Sequence, residues 1–288
     1  MELQQMRYAV AVAEEGNFTR AAERCLVVQS ALSHQIKALE RELGVELFAR
    51  TSRRVEITIA GEAFIAQARA SLAAAERAVA GATAAAGVVR GTLTIGVIPT
   101  VTALDVPAVL GAFHRAYPEV RIRLRGGGSD QFIAAIREGT MDLAVLGLSD
   151  STPPAGVATR VLARERLVVV VSQDHPLARR RTLSLEDMAG TPFVDFPERT
   201  PGRIQSDLAF LAAGVRRDVA FEAATIDVIL GLVRQGIAVA LLSPALAADD
   251  LVAIEVEAGP TRIEYLAWSD FNPSPAVRAL LGSALPQA

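Results

Sequence analysis

The sequence predicts three parts in a row: a small winged helix-turn-helix domain, one long linker helix, and a larger α/β part made of two comparable subdomains. Three observations predict it. Up to residue 58, short helical stretches alternate with turn residues and close on a hairpin pattern. Residues 59–87 form one alanine-rich helical run. From Gly91 onward, β-rich runs alternate with helical segments of about ten to fifteen residues.

In the first part, Leu3, Met6, Val10 and Ala13 repeat at steps of three and four, which predicts an amphipathic helix ended by Gly16. Asn17 is placed to cap a short second helix over 18–25. A tight connection at 26–28 leads into a third helix over 29–43, ended by Gly44. Leu32, Ile36, Leu39 and Leu43 form its apolar stripe. Gln29 stands at its start, and the other face carries Ser30, Ser33, His34, Lys37 and Arg41. Small polar and basic side chains on one face suit a helix lying in the major groove of DNA. Segments 47–50 and 55–58 then predict a hairpin around the polar turn 51–54. Arg50, Arg53 and Arg54 sit around its tip, where guanidinium groups can meet phosphates. The spacing alone also allows a plain solvated helix face with surface arginines.

Thr58 is the expected N-cap of the long helix, with Glu62 in its positive first turn. Ile65, Ala68, Leu72, Ala75, Val79, Ala82 and Ala86 then recur at alternating steps of three and four, a heptad seam. At 1.5 Å per residue the helix would run about 43 Å, longer than a small domain buries alone. The expected role of Ile65, Ala68, Leu72, Ala75 and Val79 is pairing with a second copy; packing on the chain's own C-terminal part is the alternative. Gly81 and Gly87 weaken the far end, toward a hinge at 88–91.

In the α/β part, strands are expected at 92–98, 120–124 and 142–146, with helices at 101–116 and 129–138. A second set follows, with strands at 166–172, 193–196, 219–222 and 238–242 and helices at 204–213 and 226–235. This alternation predicts parallel sheets with crossover helices. The stretches 180–190 and 244–262 show no clear pattern. Ligands in such folds sit where strands end and helices begin, where free N–H groups favour polar or anionic groups. By position the candidates are Thr100, Thr102, Gly128, Ser129, Thr200, Arg203 and Thr225. Each has a blander role as a helix cap or surface charge; several such starts on one cleft make a small-molecule site.

Composition narrows the classes. With 29 basic and 32 acidic residues the net charge is −3, so any DNA-binding surface must be local. Lys37 is the only lysine. Cys25 is the only cysteine, which excludes an intramolecular disulfide or a multi-cysteine metal site within the chain. His34, His114 and His175 are too far apart to form a ligand pair at helical spacing, so no metal is expected. Residues 126–128 are not a phosphate loop, no nucleophile elbow is present, and no catalytic residue or cofactor is expected. The polar start has no secretory pattern and no apolar run reaches membrane-spanning length, so the expected location is the cytoplasm, with no membrane partner.

The first sixty residues resemble the N-terminal signature of LysR-type transcriptional regulators. The resemblance is carried by Phe18-Thr19-Arg20-Ala21-Ala22, by Gln29 and Ala31-Leu32-Ser33, and by Gln35-Ile36-Lys37-Ala38-Leu39-Glu40. It continues through Leu43-Gly44-Val45, Leu47-Phe48, Arg50, Thr58 and Ala60-Gly61, in order and at the right spacing. Residues 168–176 are similar to a strand of the family's second subdomain. The resemblance implies a winged helix-turn-helix at 1–58, a dimerising linker helix and hinge at 59–90, and a regulatory domain at 91–288. That domain would have a periplasmic-binding-protein-like fold, with subdomain I at about 91–161 and 265–288 and subdomain II at about 162–264. It implies a regulator whose binding to double-stranded promoter DNA responds to a small-molecule effector. The implied assembly is a homo-oligomer, a dimer with tetramers common in the family, and RNA polymerase is a further partner class. Three positions depart from the family's pattern. Val28 replaces a small hydroxyl residue, Ser30 a frequent proline, and His34 a frequent arginine, so a particular operator sequence does not carry over. A transporter's solute-binding protein would need export, and an enzyme with a two-domain cleft would need a catalytic constellation.

Overall fold

The computed structural model describes residues 1–50 and 55–283. In the N-terminal unit, α1 (Leu3–Glu15), α2 (Phe18–Arg24) and α3 (Gln29–Leu43) precede a two-stranded antiparallel hairpin. Its strands are β1 (Phe48–Arg50) and β2 (Val55–Ile57), with Phe48 opposite Ile57, and the long helix α4 (Ile59–Ala85) follows. The caps explain the boundaries. Asn17 accepts from the backbone N–H groups of Thr19 and Arg20 at 2.8 and 3.1 Å, and Thr58 accepts from that of Gly61 at 2.9 Å. Gly44 ends α3 at φ 71°, a left-handed conformation that costs glycine nothing.

The core of this unit joins Tyr8, Ala9, Val12 and Phe18 to Leu32, Ile36, Leu39, Leu47, Phe48 and Ile65. The face of α1 that enters it is not the expected stripe. Gln5, Tyr8, Ala9, Ala11 and Val12 are buried, whereas Leu3 is exposed and Met6, Val10 and Ala13 form a half-buried shoulder. Close contact among three short helices favours small alanines at the seam, so the bulkiest apolar residues do not mark it. One Glu40 oxygen accepts from the backbone N–H groups of both Leu47 and Phe48, at 2.9 and 3.2 Å, and ties the hairpin to α3. A Cβ on Gly61 would lie 2.1 Å from the Leu47 carbonyl oxygen, so α4 can start here only with glycine at that position.

The C-terminal unit contains two main sheets. The first has the order β4-β3-β5-β13-β6, from β3 (Gly91–Val97), β4 (Val120–Gly126), β5 (Leu143–Ser149), β6 (Ala158–Arg166) and β13 (Thr261–Trp268). It carries α5 (Val106–Ala116), α6 (Ser129–Arg137) and the late helix α9 (Pro275–Ser283). The second has the order β11-β7-β12-β8, from β7 (Val168–Ser172), β8 (Thr182–Leu183), β11 (Ala240–Leu242) and β12 (Leu251–Val256). Beside it lies the parallel pair β9 (Pro192–Asp195) and β10 (Asp218–Glu222), joined through a Phe193–Val239 bridge, with helices α7 (Pro201–Ala212) and α8 (Ile226–Arg234).

The sheets are mixed rather than parallel. β3 and β5 run parallel, but β13 is antiparallel to both β5 and β6, and β7 is antiparallel to β11 and β12. The chain crosses between subdomains twice, out along β6 and back along β13, and a strand returning through a sheet runs against its neighbours. These two strands straddle the boundaries expected near 161 and 264. Helix α5 starts five residues later than the periodicity suggested. Asp105 caps it by accepting from the Ala108 N–H at 2.9 Å, and Pro107 fits its first turn, so 101–105 is loop.

Candidate DNA-reading face and ligand cleft

Helix α3 presents two opposite faces. Leu32, Ile36 and Leu39 are fully buried, while Gln29, Ser30, His34, Lys37 and Arg41 are exposed and Ser33 is half-buried. The exposed row is a single polar and basic face without bulky apolar groups, as groove reading requires. Val28 at its N-cap gives no side-chain hydrogen bond and is 67% exposed. Arg50 belongs to β1. Arg53 and Arg54 lie outside the described residues.

The proposed pairing seam on α4 divides. Ile65 and Ala68 are buried inside the chain, Ile65 in the core with Leu39 and Phe48. Their apolarity is therefore accounted for by intramolecular packing, and they offer no surface to a second copy. Leu72 and Ala75 are half-buried, and Val79 is 61% exposed.

Three of the ligand candidates, Thr100, Thr102 and Ser129, come together at the end of β3. The pairing of β3 with β5 stops at Val97 opposite Val145, and β3 then leaves the sheet for the loop at 98–105. This departure leaves residues 146–149 of β5 without a strand partner on that side, a notch in the sheet at Gly147. Ser129, at the start of α6, closes one side. Its hydroxyl donates to the Gly147 carbonyl at 3.2 Å and accepts from the Gly147 N–H at 3.0 Å. Thr102 is held by Glu264 of β13, which accepts from its hydroxyl at 2.9 Å and from its backbone N–H at 3.1 and 3.2 Å. Glu264 also accepts from the Ala103 N–H at 3.1 Å, and it is 0% exposed. Thr100 accepts from Arg262 Nη2 at its carbonyl, 3.0 Å, and at its hydroxyl, 2.5 Å. Opposite the start of α6 lies the start of α7: a Cβ on Gly128 would sit 3.9 Å from Pro201 Cδ. Gln205 of α7 reaches across and donates to the Thr261 carbonyl at 2.5 Å.

Other candidates fall elsewhere. Arg203 is buried, and it donates to Asp207 and Glu222 at 2.9 and 2.8 Å. Burial pulls its guanidinium down, but Glu222, Asp207 and Asp195 together hold its pKa above the usual arginine value. Its bonds lie within the second subdomain, and none of them joins the group at the end of β3. The Thr200 hydroxyl donates to the Pro197 carbonyl at 2.8 Å. Thr225 is exposed, caps α8 without a side-chain bond, and joins none of the bonds of the notch.

The sequence reading missed Arg262, Glu264 and Glu165. On the sheet, Arg262 pairs with Glu165 of β6. Glu165 accepts from the Ser243 hydroxyl at 2.7 Å, while its other oxygen is sealed without a partner. Burial pulls the Arg262 guanidinium below the usual arginine range, against the pull of Glu264 and Glu165. Among the described residues no group of three His, Cys, Asp or Glu side chains is placed to hold a metal ion, and no helix is long and apolar enough to cross a membrane.

Comparison with known proteins gives a consistent picture. The family described as "Bacterial regulatory helix-turn-helix protein, lysR family" matches residues 3–62, and "LysR substrate binding domain" matches 86–288. The chain is 34% identical over 245 residues to the Escherichia coli HTH-type regulator YnfL, covering 84% of this chain and 82% of that one. It is 34% identical to the dual regulator GltC of Bacillus subtilis, covering 84% and 80%. Among solved structures, a full-length OxyR from Pseudomonas aeruginosa superposes with a TM-score of 0.76 at 27% identity, covering 100% of this chain and 98% of that chain. CbnR in complex with its target DNA superposes with a TM-score of 0.69 at 26% identity, covering 99% of each chain.

Proposed function

The chain belongs to the LysR family of bacterial helix-turn-helix regulators, and from that premise we propose how its parts share the work: α3 reads the major groove of promoter DNA, and the notch at the end of β3 receives the small-molecule effector. The protein is a DNA-binding transcriptional regulator with an effector-binding domain, not an enzyme. The observation that carries the division is the two-faced α3, with Leu32, Ile36 and Leu39 buried against an exposed row of Gln29, Ser30, His34 and Lys37. Ser33 and His34 contact base edges, and Arg50, Arg53 and Arg54 of the wing contact phosphates.

Two copies pair through the outer part of α4, around Leu72, Ala75 and Val79, and set two reading heads on two half-sites. A tetramer and a contact with RNA polymerase follow the family's habit. The protein works in the cytoplasm and needs no cofactor beyond its effector. Some relatives are named hydrogen peroxide-inducible genes activators, but a response built on an intramolecular thiol pair is not open to this chain. Cys25 is its only cysteine, and burial pushes that thiol's pKa up, away from the reactive thiolate. In this reading the input is reversible ligand binding.

The test is a gel-shift titration of the full chain against DNA upstream of its own gene, with and without candidate effectors. A sequence-specific complex whose affinity changes with an added small molecule supports the reading. Equal affinity for that DNA and for a scrambled duplex overturns it.

A further inference from the structure

We propose that Val28 is a specificity-determining residue for DNA: it reads the 5-methyl group of a thymine in the major groove. The proposal rests on the reading of α3 as the groove helix and adds to it an apolar contact at the start of that helix.

The turn between α2 and α3 presents apolar side chains outward where other residues would serve the fold better. Val28 is the N-cap of α3. Its carbonyl accepts from the N–H groups of Ala31 and Leu32 at 3.1 and 3.2 Å, but its side chain gives no cap bond and is 67% exposed. Serine, threonine, aspartate or asparagine there would bond a free N–H of the first turn. Two residues earlier, Leu26 is 92% exposed at φ 57°. That left-handed conformation crowds the Cβ of a leucine, and glycine supplies it at the ends of α1 and α3, as Gly16 and Gly44. Val27, between the two, packs on the core of the unit. Bonds from the Leu26 and Val27 N–H groups to the Glu23 and Ala22 carbonyls, both 3.0 Å, fix the turn. Packing therefore explains Val27 but neither of its neighbours. One gives up a cap, and the other holds a backbone conformation poorly suited to it.

Their place decides what these side chains meet. A groove-reading helix sets its N-terminal residues against base edges. Gln29, Ser30 and Ala31, the first residues of α3, are exposed next to Val28. Among the groups that base pairs present in the major groove, the thymine 5-methyl is the apolar one. Valine has no side-chain donor, acceptor or charge, so its side chain makes neither a base-edge hydrogen bond nor a phosphate contact. Arg24, just before the turn, does not change that character, because Glu14 and Glu15 hold its guanidinium at 2.6 and 3.3 Å. Val28 thus complements Ser33 and His34. They sort donors and acceptors, and it separates thymine from cytosine, whose edge carries no methyl.

In the test, the full-length protein selects its binding sequence from a pool of random duplexes. Each thymine of the selected duplex is then replaced singly by deoxyuridine, which removes the methyl and keeps the pairing. Fluorescence anisotropy should find at least one thymine whose replacement weakens binding by about 3- to 10-fold. For Val28→Ser that discrimination should vanish, because the thymine duplex loses affinity by a similar factor while the deoxyuridine duplex does not. Serine also restores the cap, so this variant should melt no lower than the parent protein, which separates a lost contact from a lost fold. Val28→Ala should lose the same discrimination without introducing a hydroxyl. Two results overturn the proposal: no thymine shows a methyl effect, or the folded variants keep that effect at full size. A protein that selects no sequence at all overturns the reading of α3 together with this proposal. One that selects a sequence but ignores every methyl overturns this proposal alone.

Discussion

Glu264 and Thr102 are 162 residues apart in sequence, yet the carboxylate of one accepts both the hydroxyl and the backbone N–H of the other. The loop leading into α5 is therefore pinned to the strand by which the chain returns from the second subdomain. Glu264→Ala would leave the N–H groups of Thr102 and Ala103 and the guanidinium of Arg262 without that carboxylate. The expected cost is about 3–5 kcal/mol, the range for breaking a buried charged pair. Urea unfolding of the regulatory domain transition measures it, and a loss under about 1 kcal/mol would mean that water replaces the carboxylate freely.

Gly61 gives a second stability prediction. A methyl group there meets the Leu47 carbonyl oxygen at 2.1 Å, and backbone cannot step aside as a side-chain tip can. Gly61→Ala should destabilise the N-terminal unit by about 1–3 kcal/mol or more through overpacking. Thermal melting followed by circular dichroism should show the lower midpoint, with DNA affinity falling in parallel.

On the DNA side, charge and groove contacts should separate. Arg53→Ala should weaken binding to all duplexes and reduce the salt dependence by up to about one unit of slope. Ser33→Ala or His34→Ala should instead change the ranking of operator variants. Fluorescence anisotropy across a salt series distinguishes the two, and an unchanged slope for Arg53→Ala would remove the wing from the interface.

Val79 tests the pairing of α4. It is the exposed large residue of the seam, so Val79→Asp should leave the monomer fold intact and place a carboxylate between two helices, at a cost of several kcal/mol. Light scattering should then report a smaller species. An unchanged mass with unchanged DNA affinity would place the interface elsewhere.

Asp187 supplies a pH prediction. The backbone N–H of Ser184 at 2.8 Å, helped by Arg180 and the Ser184 hydroxyl, holds its carboxyl below the usual aspartate range. A lowered folded pKa contributes stability that is fully present above the unfolded value near ~3.9 and lost as pH falls through the folded value. Asp187→Asn should therefore lower stability slightly at neutral pH, the group being exposed, flatten that acid limb, and leave stability unchanged at pH values below the folded pKa. Acid titrations of both proteins, followed by fluorescence, compare the two limbs.

How far the fold could be read depended on how local its causes are. Helix α3 was legible to the residue because its apolar stripe, its partner turn and Gly44 all lie within sixteen residues. Thr58 and Asn17 were legible for the same reason. The buried face of α1 was not, because Ala9 and Ala11 are chosen by the closeness of neighbouring helices and not by their own hydrophobicity. The notch was half legible. Thr100, Thr102 and Ser129 stand where a strand gives way to loop or helix, a local pattern. Arg262 and Glu264 sit in a strand with buried residues on both faces, where alternating charge reads as solvent exposure. Only their distant partners explain them.

The position of β13 also sets an order of events during synthesis. The strands of the second sheet and of the β9–β10 pair, residues 168–256, form one continuous stretch of chain, and the core of the N-terminal unit uses residues 8–65. Both can close as soon as they leave the ribosome. The first sheet cannot, because the strand between β5 and β6 is encoded at 261–268. While more than a hundred residues are being translated, β5 and β6 each keep an open edge, and the loop at 98–105 lacks its anchor on Glu264. The first sheet is thus the last part of the nascent protein to close, and a chain truncated before Thr261 would have a finished N-terminal unit but an incomplete regulatory domain.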